Sequence, residues 1–296
     1  MKFSRIQLGT VQLGLDYGVA NSRGKPSYET ARDIIARAWE GGVNTLDTAA
    51  VYGDSEEIIG RALSELKLQE NIQIVSKVPP VSLHNLSAVE AEEFITESVE
   101  NSLRKLRRDY LHVCLFHREE DLKYLDILRK LEARGLIMGC GVSLDSTEYC
   151  AETLKKKVEY VQLPYNILDK RYDGFLVETA AENVKIFTRS LYLQGLLMMP
   201  EELIRANLEA VIPIRRKLNE LAISIGISLP ELCARFVMSN PAVTSILTGV
   251  DTRSQLDENI ALMSRGALPD DICKQVKAIV PALPETIIRP SLWSTV

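Results

Sequence analysis

GGVNTLDTAAVYGDSEEIIGRAL, residues 41–63, reads as one strand–turn–helix unit. Gly41-Gly42 ends a helical pattern, ETARDIIARAWE, that Ser27 caps at its start. VNTLDT reads as a strand over 43–48, and a loop carrying Tyr52-Gly53 follows it. Asp54 then opens SEEIIGRALSEL, with Glu57 three residues on as in a capping box. The same unit recurs on both sides of this stretch. Short β-branched apolar runs are expected to form strands at 5–9, 43–48, 73–78, 110–117, 137–143, 160–163, 185–189 and 245–247. Ser87 opens a long helix on which Val89, Phe94, Val99, Leu103 and Leu106 return about once per turn. Asp121 and Ser146 open two more.

Alternation of strand and helix, with apolar strands, argues for a parallel sheet covered by helices. Eight units point to a closed (β/α)8 TIM barrel. The length of 296 residues suits one such α/β domain over 1–296, with 281–296 as a C-terminal tail. A doubly wound open sheet competes with this reading. Against it, no G-x-G-x-x-G follows the first strand; Gly9-Thr10 leads into VQLGLDYG instead. The longest irregular stretches are 191–200 and the tail. Long loops on a barrel usually serve its active site or lie disordered.

Composition narrows the function. With 46% hydrophobic residues there is ample material for a core, and 35 basic residues are mixed with 40 acidic ones. No basic block stands out, so nucleic acid is not expected as a partner. Cys114, Cys140, Cys150, Cys233 and Cys273 are scattered, odd in number and without a C-x-x-C pair. They read as reduced thiols, neither a disulfide framework nor a metal site. MKFSRIQLGTVQLG has no apolar leader region, and no apolar run reaches the roughly 18 residues of a membrane span. A soluble cytoplasmic protein is expected, with no membrane partner.

In such a barrel, chemistry collects where strands end and βα loops begin. Asp47 ends the second strand, Tyr52 follows in its loop, Lys77 ends the third strand and His117 the fourth. Each alone has a structural reading: Tyr52 as a turn aromatic, Lys77 snorkelling to solvent, Asp47 as a cap, His117 as a hydrogen-bonded strand end. Together they form a working acid site. Reducing a carbonyl by hydride needs a proton donor near the oxygen. A tyrosine titrating near 10 serves only if its anion is stabilised. An adjacent lysine lowers that pKa, and an aspartate fixes the lysine. A neutral histidine can hydrogen-bond the carbonyl oxygen. His84, His112 and Trp39 read as structural, His84 in a loop, His112 packed and Trp39 in the core. Trp293 is placed either over the pocket or in a loose tail.

The segment 41–63 resembles the signature of the aldo-keto reductase superfamily: a strand ending in Asp, a Tyr-Gly turn and a helix carrying E-x-x-x-G. The resemblance runs over about 8–259, and SKV and LFH fall where that family's catalytic Lys and His belong. It implies Tyr52 as general acid, Lys77 as the group that tunes it, Asp47 as partner of Lys77 and His117 as the residue that orients the substrate, a small carbonyl compound. It also implies an NADPH site. Gly9, Thr10 and Asp47 belong to it, Ser143 and Gln162 meet the nicotinamide carboxamide, and Leu144 stands where the family usually has Asn. RSLYLQGLL resembles the family's Ser-Pro-Leu…Gly segment, which aligns Ser190, Leu191, Gln194 and Gly195 with the pyrophosphate and Arg189 with the nicotinamide-stacking position. Gln255, Glu258 and Asn259 align with residues that hold the adenine. Gly249 and Gln255 stand where some members carry a phosphate-binding cation. Arg253 is then the nearest cation for the 2′-phosphate that distinguishes NADPH from NADH.

For the substrate, Gln12, Asp16, Tyr17 and Asn21 lie in the loop after the first strand, with Tyr52 and His117 facing it. Such a loop suits a polyhydroxylated ligand. LGTVQLGLDYG resembles reductases of bacterial carbohydrate pathways, so an aldehyde, ketone or keto-sugar is expected. Two alternatives stay open: an epimerase or dehydratase that uses a tightly held nicotinamide transiently, and a non-catalytic NADPH-binding module like channel-associated subunits.

Overall fold

The computed structural model describes residues 1–17 and 24–293, so Asn21 lies outside the described residues. Eight parallel strands close into a barrel in sequence order: β1 Ile6–Gly9, β2 Thr45–Asp47, β3 Gln73–Val78, β4 Val113–Phe116, β5 Cys140–Ser143, β6 Tyr160–Pro164, β7 Lys185–Arg189 and β8 Val243–Gly249. β1 pairs with both β2 and β8, which completes the ring and leaves no sheet edge. The open doubly wound sheet is thereby excluded. The expected strand at 110–117 shortens to β4, with Leu111 and Ile137 left as an isolated bridge. That at 245–247 lengthens to β8.

Helices cover the outside. Tyr28–Glu40 follows β1, Ser55–Leu66 follows β2, and Ala88–Leu106 follows β3. Ser27 accepts from the Thr30 N–H, and Ser87 and Glu90 form a reciprocal capping box. Asp54 does not cap; its carboxylate pairs with Lys25 instead, since a charged partner outbids a backbone N–H. Asp121 does not open a helix by capping either. It is buried and accepts the Val81 and Ser82 N–H groups, tying the segment after β4 to the loop after β3. Ser146 accepts from the Glu148 N–H at the start of a single 3-10 turn. Trp39 is 36% exposed and Val89 68%, so neither belongs to the core. Among the described residues no single helix is long and apolar enough to cross a membrane.

His112 lies between β3 and β4, where its Nδ1 accepts the Ile74 N–H at 3.2 Å. Burial, then the charges of Arg108 and the N-terminus, lower its pKa to about 4. An unfolded histidine titrates near 6.5, so the folded state binds fewer protons between these values. The stabilisation from the neutral ring is complete above the unfolded value and is lost as pH falls through about 4. His112→Gln should therefore show a smaller drop in Tm between pH 7 and about pH 4.5 than the wild type. Equal drops measured by calorimetry would reject this role.

Candidate active site

Alternation along each strand decides which side chains enter the barrel. Val75, Leu115, Tyr160, Phe187 and Leu247 form an apolar layer inside, closed below by the edge of Phe3 against Tyr160 and Phe187. Two residues further along the same strands stand Lys77, His117, Gln162, Arg189 and Gly249. The upper layer is therefore polar where the lower is apolar. Register brings these groups together: Asp47 lies opposite Gly9 and Val75, Ser143 opposite Gln162, and Gly9 opposite Gly249.

Lys77 and Asp47 are the charged centre of this layer. Lys77 Nζ donates to Asp47 Oδ1 at 2.6 Å and to the Thr48 carbonyl at 2.8 Å, and both side chains are almost wholly shielded from solvent. Gln162 Nε2 donates to the other carboxylate oxygen, Asp47 Oδ2, at 2.7 Å. Three strands thus hold one ion pair. Burial works against the ammonium, but Asp47 and Tyr52 outweigh it and hold Lys77 above its ordinary pKa.

Tyr52 is positioned by a tight crossing of backbones. Gly53 has φ +58°, and a Cβ there would lie 2.4 Å from the Gly14 carbonyl oxygen. A Cβ on Gly14 would in turn lie 1.9 Å from the Tyr52 carbonyl oxygen. Only glycines allow this approach. Lys77 Nζ lies 5.2 Å from the Tyr52 ring centre, and His117 meets that ring edge-on at 5.7 Å between centres. Burial raises the Tyr52 pKa, with Lys77 and Arg189 pulling the other way. The expected net lowering by Lys77 is not found, because desolvation is the larger effect in this enclosed position. Burial, then Lys77, Arg189 and Arg118, lower His117 to about 3, so its ring is neutral at ordinary pH. His117 Nδ1 is buried with no hydrogen-bond partner.

These groups open into a cavity of about 1470 Å³ at the C-terminal end of the barrel. Asp47, Tyr52 and His117 line it; so do Gly9, Thr10, Gln12, Tyr17, Ser143, Gln162, Arg189, Ser190, Leu191, Gln194, Gly195, Gly249, Gln255, Glu258 and Asn259. Ser190, Leu193, Gln194 and Gly195 all have positive φ, a strained loop in which three non-glycine residues adopt a glycine-like conformation. Gln12 packs on Gly249, where a Cβ would come within 2.3 Å of its amide. It therefore sits at the β1–β8 side of the mouth, across from His117. The Tyr17 hydroxyl is 3.4 Å from Gln194 Nε2. Arg253 does not line the cavity: its side chain is 63% exposed and faces Asp257 at 3.9 Å. The first turn of its helix points it outward, whereas Arg215 lines the cavity.

Sequence reasoning did not find Asp145, Arg215 or Arg289, all of which line the cavity. Asp145 had a local signal, since it comes just beyond the strand end GVS. Arg215 and Arg289 had none, because a helix start and a distant tail reach the cavity only in three dimensions. Arg189 is placed at the mouth by β7, with its guanidinium donating to the Leu144 carbonyl at 3.1 Å and to Asp145 at 3.0 Å.

Comparisons with known proteins agree with this architecture. The "Aldo/keto reductase family" model matches residues 5–281. An uncharacterized oxidoreductase of Bacillus subtilis is 23% identical over 94% of this chain and 93% of its own. The NADH-specific methylglyoxal reductase of Escherichia coli is 25% identical over 88% of this chain and 90% of its own. Among solved structures, the holo form of an aldo-keto reductase from Bacillus halodurans superimposes with a TM-score of 0.80 at 22% identity, covering 97% of this chain and 96% of that one. With a family match over nearly its whole length on a closed eight-stranded barrel, the chain belongs to the aldo/keto reductase family of oxidoreductases, which use nicotinamide cofactors.

Proposed function

We propose that this protein reduces the carbonyl of a small aldehyde, ketone or keto-sugar to an alcohol, using NADPH in preference to NADH and Tyr52 as proton donor. One observation carries the reading: the buried Lys77–Asp47 pair, 2.6 Å apart, set beside the Tyr52 ring. The reduced nicotinamide, when bound, supplies the hydride that reaches the carbonyl carbon. The chain supplies the rest. His117, neutral at working pH, donates a hydrogen bond that orients the carbonyl oxygen and spreads its developing charge. Tyr52, protonated because burial raises its pKa, gives its hydroxyl proton to that oxygen as charge collects there. The tyrosinate left behind faces the Lys77 cation, which Asp47 and Gln162 hold in place. A proton from solvent restores the tyrosine.

The remaining polar wall fits a dinucleotide. Gln162 uses its Nε2 on Asp47 and keeps its carbonyl for a carboxamide, with Ser143 beside it. Ser190, Leu191, Gln194 and Gly195 offer the strained loop to a pyrophosphate, with Gly9, Thr10 and Gly249 lining the cavity beside it. Gln255, Glu258 and Asn259 suit an adenine. Arg189, at the end of β7, would meet the nicotinamide. For the 2′-phosphate, Arg215 replaces Arg253 in our reading, because its Nε is buried without a hydrogen-bond partner in a cavity wall shared with Glu258 and Asn259. Val51, Pro80, Leu83 and Leu292 add apolar surface to a wall that also carries Arg118, Glu120, Arg289 and Ser291. An aldehyde, a ketone and a keto-sugar all stay within this reading.

Tyr52→Phe should lower kcat by about a hundredfold or more while NADPH binding, followed by fluorescence, stays near wild type. Lys77→Met should be comparably harmful. A Tyr52→Phe protein with ordinary turnover would sink the assignment, as would a wild type that binds NADPH but never oxidises it against a broad carbonyl panel.

The pH profile of carbonyl reduction follows from the same groups. Tyr52 acts only while protonated, and His117 stays neutral down to about 3. Because burial raises the Tyr52 pKa, we expect kcat/KM to be flat from about pH 5 upward and to fall only above the ordinary tyrosine value of about 10. A steep loss on the acid side near pH 6.5 would mean that a histidine of ordinary pKa governs the reaction.

Arg215→Met should raise the Kd for NADPH roughly tenfold to a hundredfold and leave NADH unchanged, the expected loss of a charge-assisted phosphate contact. Arg253→Ala should alter neither. Equal weakening of both cofactors by Arg215→Met would make that residue structural, and tighter wild-type binding of NADH would overturn the preference.

A further inference from the structure

Asp145, in the loop after β5, holds together two parts of the cavity wall that come from distant places in the chain. One is Arg189 at the end of β7, which donates from Nη2 to Asp145 Oδ1 at 3.0 Å. The other is the C-terminal tail. Arg289 donates from Nε and Nη2 to Asp145 Oδ2 at 3.1 and 2.9 Å, and the Ser291 hydroxyl donates to the same oxygen at 3.1 Å. Both oxygens of one carboxylate are thus engaged, by different elements. The loop itself is held from behind, where the buried Glu119 carboxylate accepts the Asp145 and Ser146 N–H groups at 3.0 and 2.9 Å. Arg171 adds a bond to the Asp145 carbonyl and meets Glu285, which also pairs with Arg289.

Both partners matter to the site. Arg189, Arg289, Pro290, Ser291 and Leu292 line the same cavity as Tyr52 and His117. The Arg189 charge reaches Tyr52, Lys77 and His117. Burial alone would raise the Asp145 pKa, but Arg189 and Arg289 hold it at about 2, so the carboxylate is charged throughout the working range. An exposed ion pair would contribute little. Here Asp145, Arg189 and Arg289 are each less than a third exposed, and the bonds form a network.

We propose that Asp145 is a positioning residue that makes two things one event: the seating of the C-terminal tail over the cavity and the setting of Arg189 beside the catalytic groups. Among the described residues Arg189 and the tail share no hydrogen bond with each other; the Asp145 carboxylate joins them. Substrate binding then depends on the pair jointly. The kinetic part of this inference rests on the reductase reading above, and the exchange part does not.

The test uses the full chain with Asp145→Asn, Arg189→Met, Arg289→Met and the double arginine variant. Hydrogen exchange of the 285–292 amides should speed up about tenfold in Asp145→Asn and also rise in Arg189→Met, although Arg189 lies outside the tail. In reduction of 4-nitrobenzaldehyde with saturating NADPH, each arginine variant should raise KM about tenfold. The double variant should raise it by about the same factor, well short of the hundredfold product expected for independent sites. Multiplicative KM effects, or tail exchange unchanged or slower in Arg189→Met, would overturn the proposal. If no variant and no wild type reduces a carbonyl, the reductase reading fails, and exchange in Arg189→Met still decides the coupling.

Discussion

The interaction on which the rest of the site depends is the buried pair of Lys77 and Asp47. Neither charge has solvent to fall back on, and desolvating both is costly unless their remaining bonds are satisfied. They are satisfied here by the Thr48 carbonyl on one side and the Gln162 amide on the other. That arrangement needs β2, β3 and β6 at one level, and only a closed barrel sets three such strands around one point. The charge pair therefore depends on the fold. The barrel makes the pair affordable, and the pair fills a layer that side chains of the apolar kind fill below it.

Burial and charge pull in opposite directions throughout this layer, and magnitudes decide each case. For Lys77, two negative or potentially negative neighbours outweigh desolvation. For Tyr52, desolvation outweighs two cations. For His117, burial and cations act in the same sense, and the ring becomes a neutral group with a pKa of about 3. The result is a phenol that stays protonated, a cation that stays charged and an imidazole that stays neutral. These are the states on which the proposed carbonyl reduction draws.

The cavity wall is a different kind of structure from its floor. The floor is strand ends, held by ladder hydrogen bonds in fixed register. The wall is built from loops: a left-handed run after β7, the Asp145 turn after β5 and a tail that returns from beyond the last helix of the barrel. Ion pairs and a shared carboxylate, rather than a sheet, set its shape. Variation in such walls changes what a barrel of this type accepts while its floor stays the same.

Much of the floor was legible in the amino-acid sequence. Period-two alternation is a local property, so an inward Val75 predicts an inward Lys77, and a strand that ends at Phe116 places His117 at the mouth. Asp47, Lys77 and His117 could be picked out as polar strand ends and Tyr52 from the turn after the second strand, and the repeat of strand and helix pointed to the eight strands and the closed ring. The helix caps were legible where a hydroxyl met a free N–H, at Ser27 and Ser87, and misread at Asp54 and Asp121, where a distant partner competed for the carboxylate. Arg253 opens the helix that the sequence singled out for the phosphate, yet its side chain faces outward to Asp257, while Arg215, from another element, lines the cavity. Asp145 and Arg289 lie far apart in the chain and meet only across the mouth of the barrel. Sequence determined what each strand presents; tertiary structure decided which loops and which tail close over it, because those contacts join residues with no local periodicity to announce them.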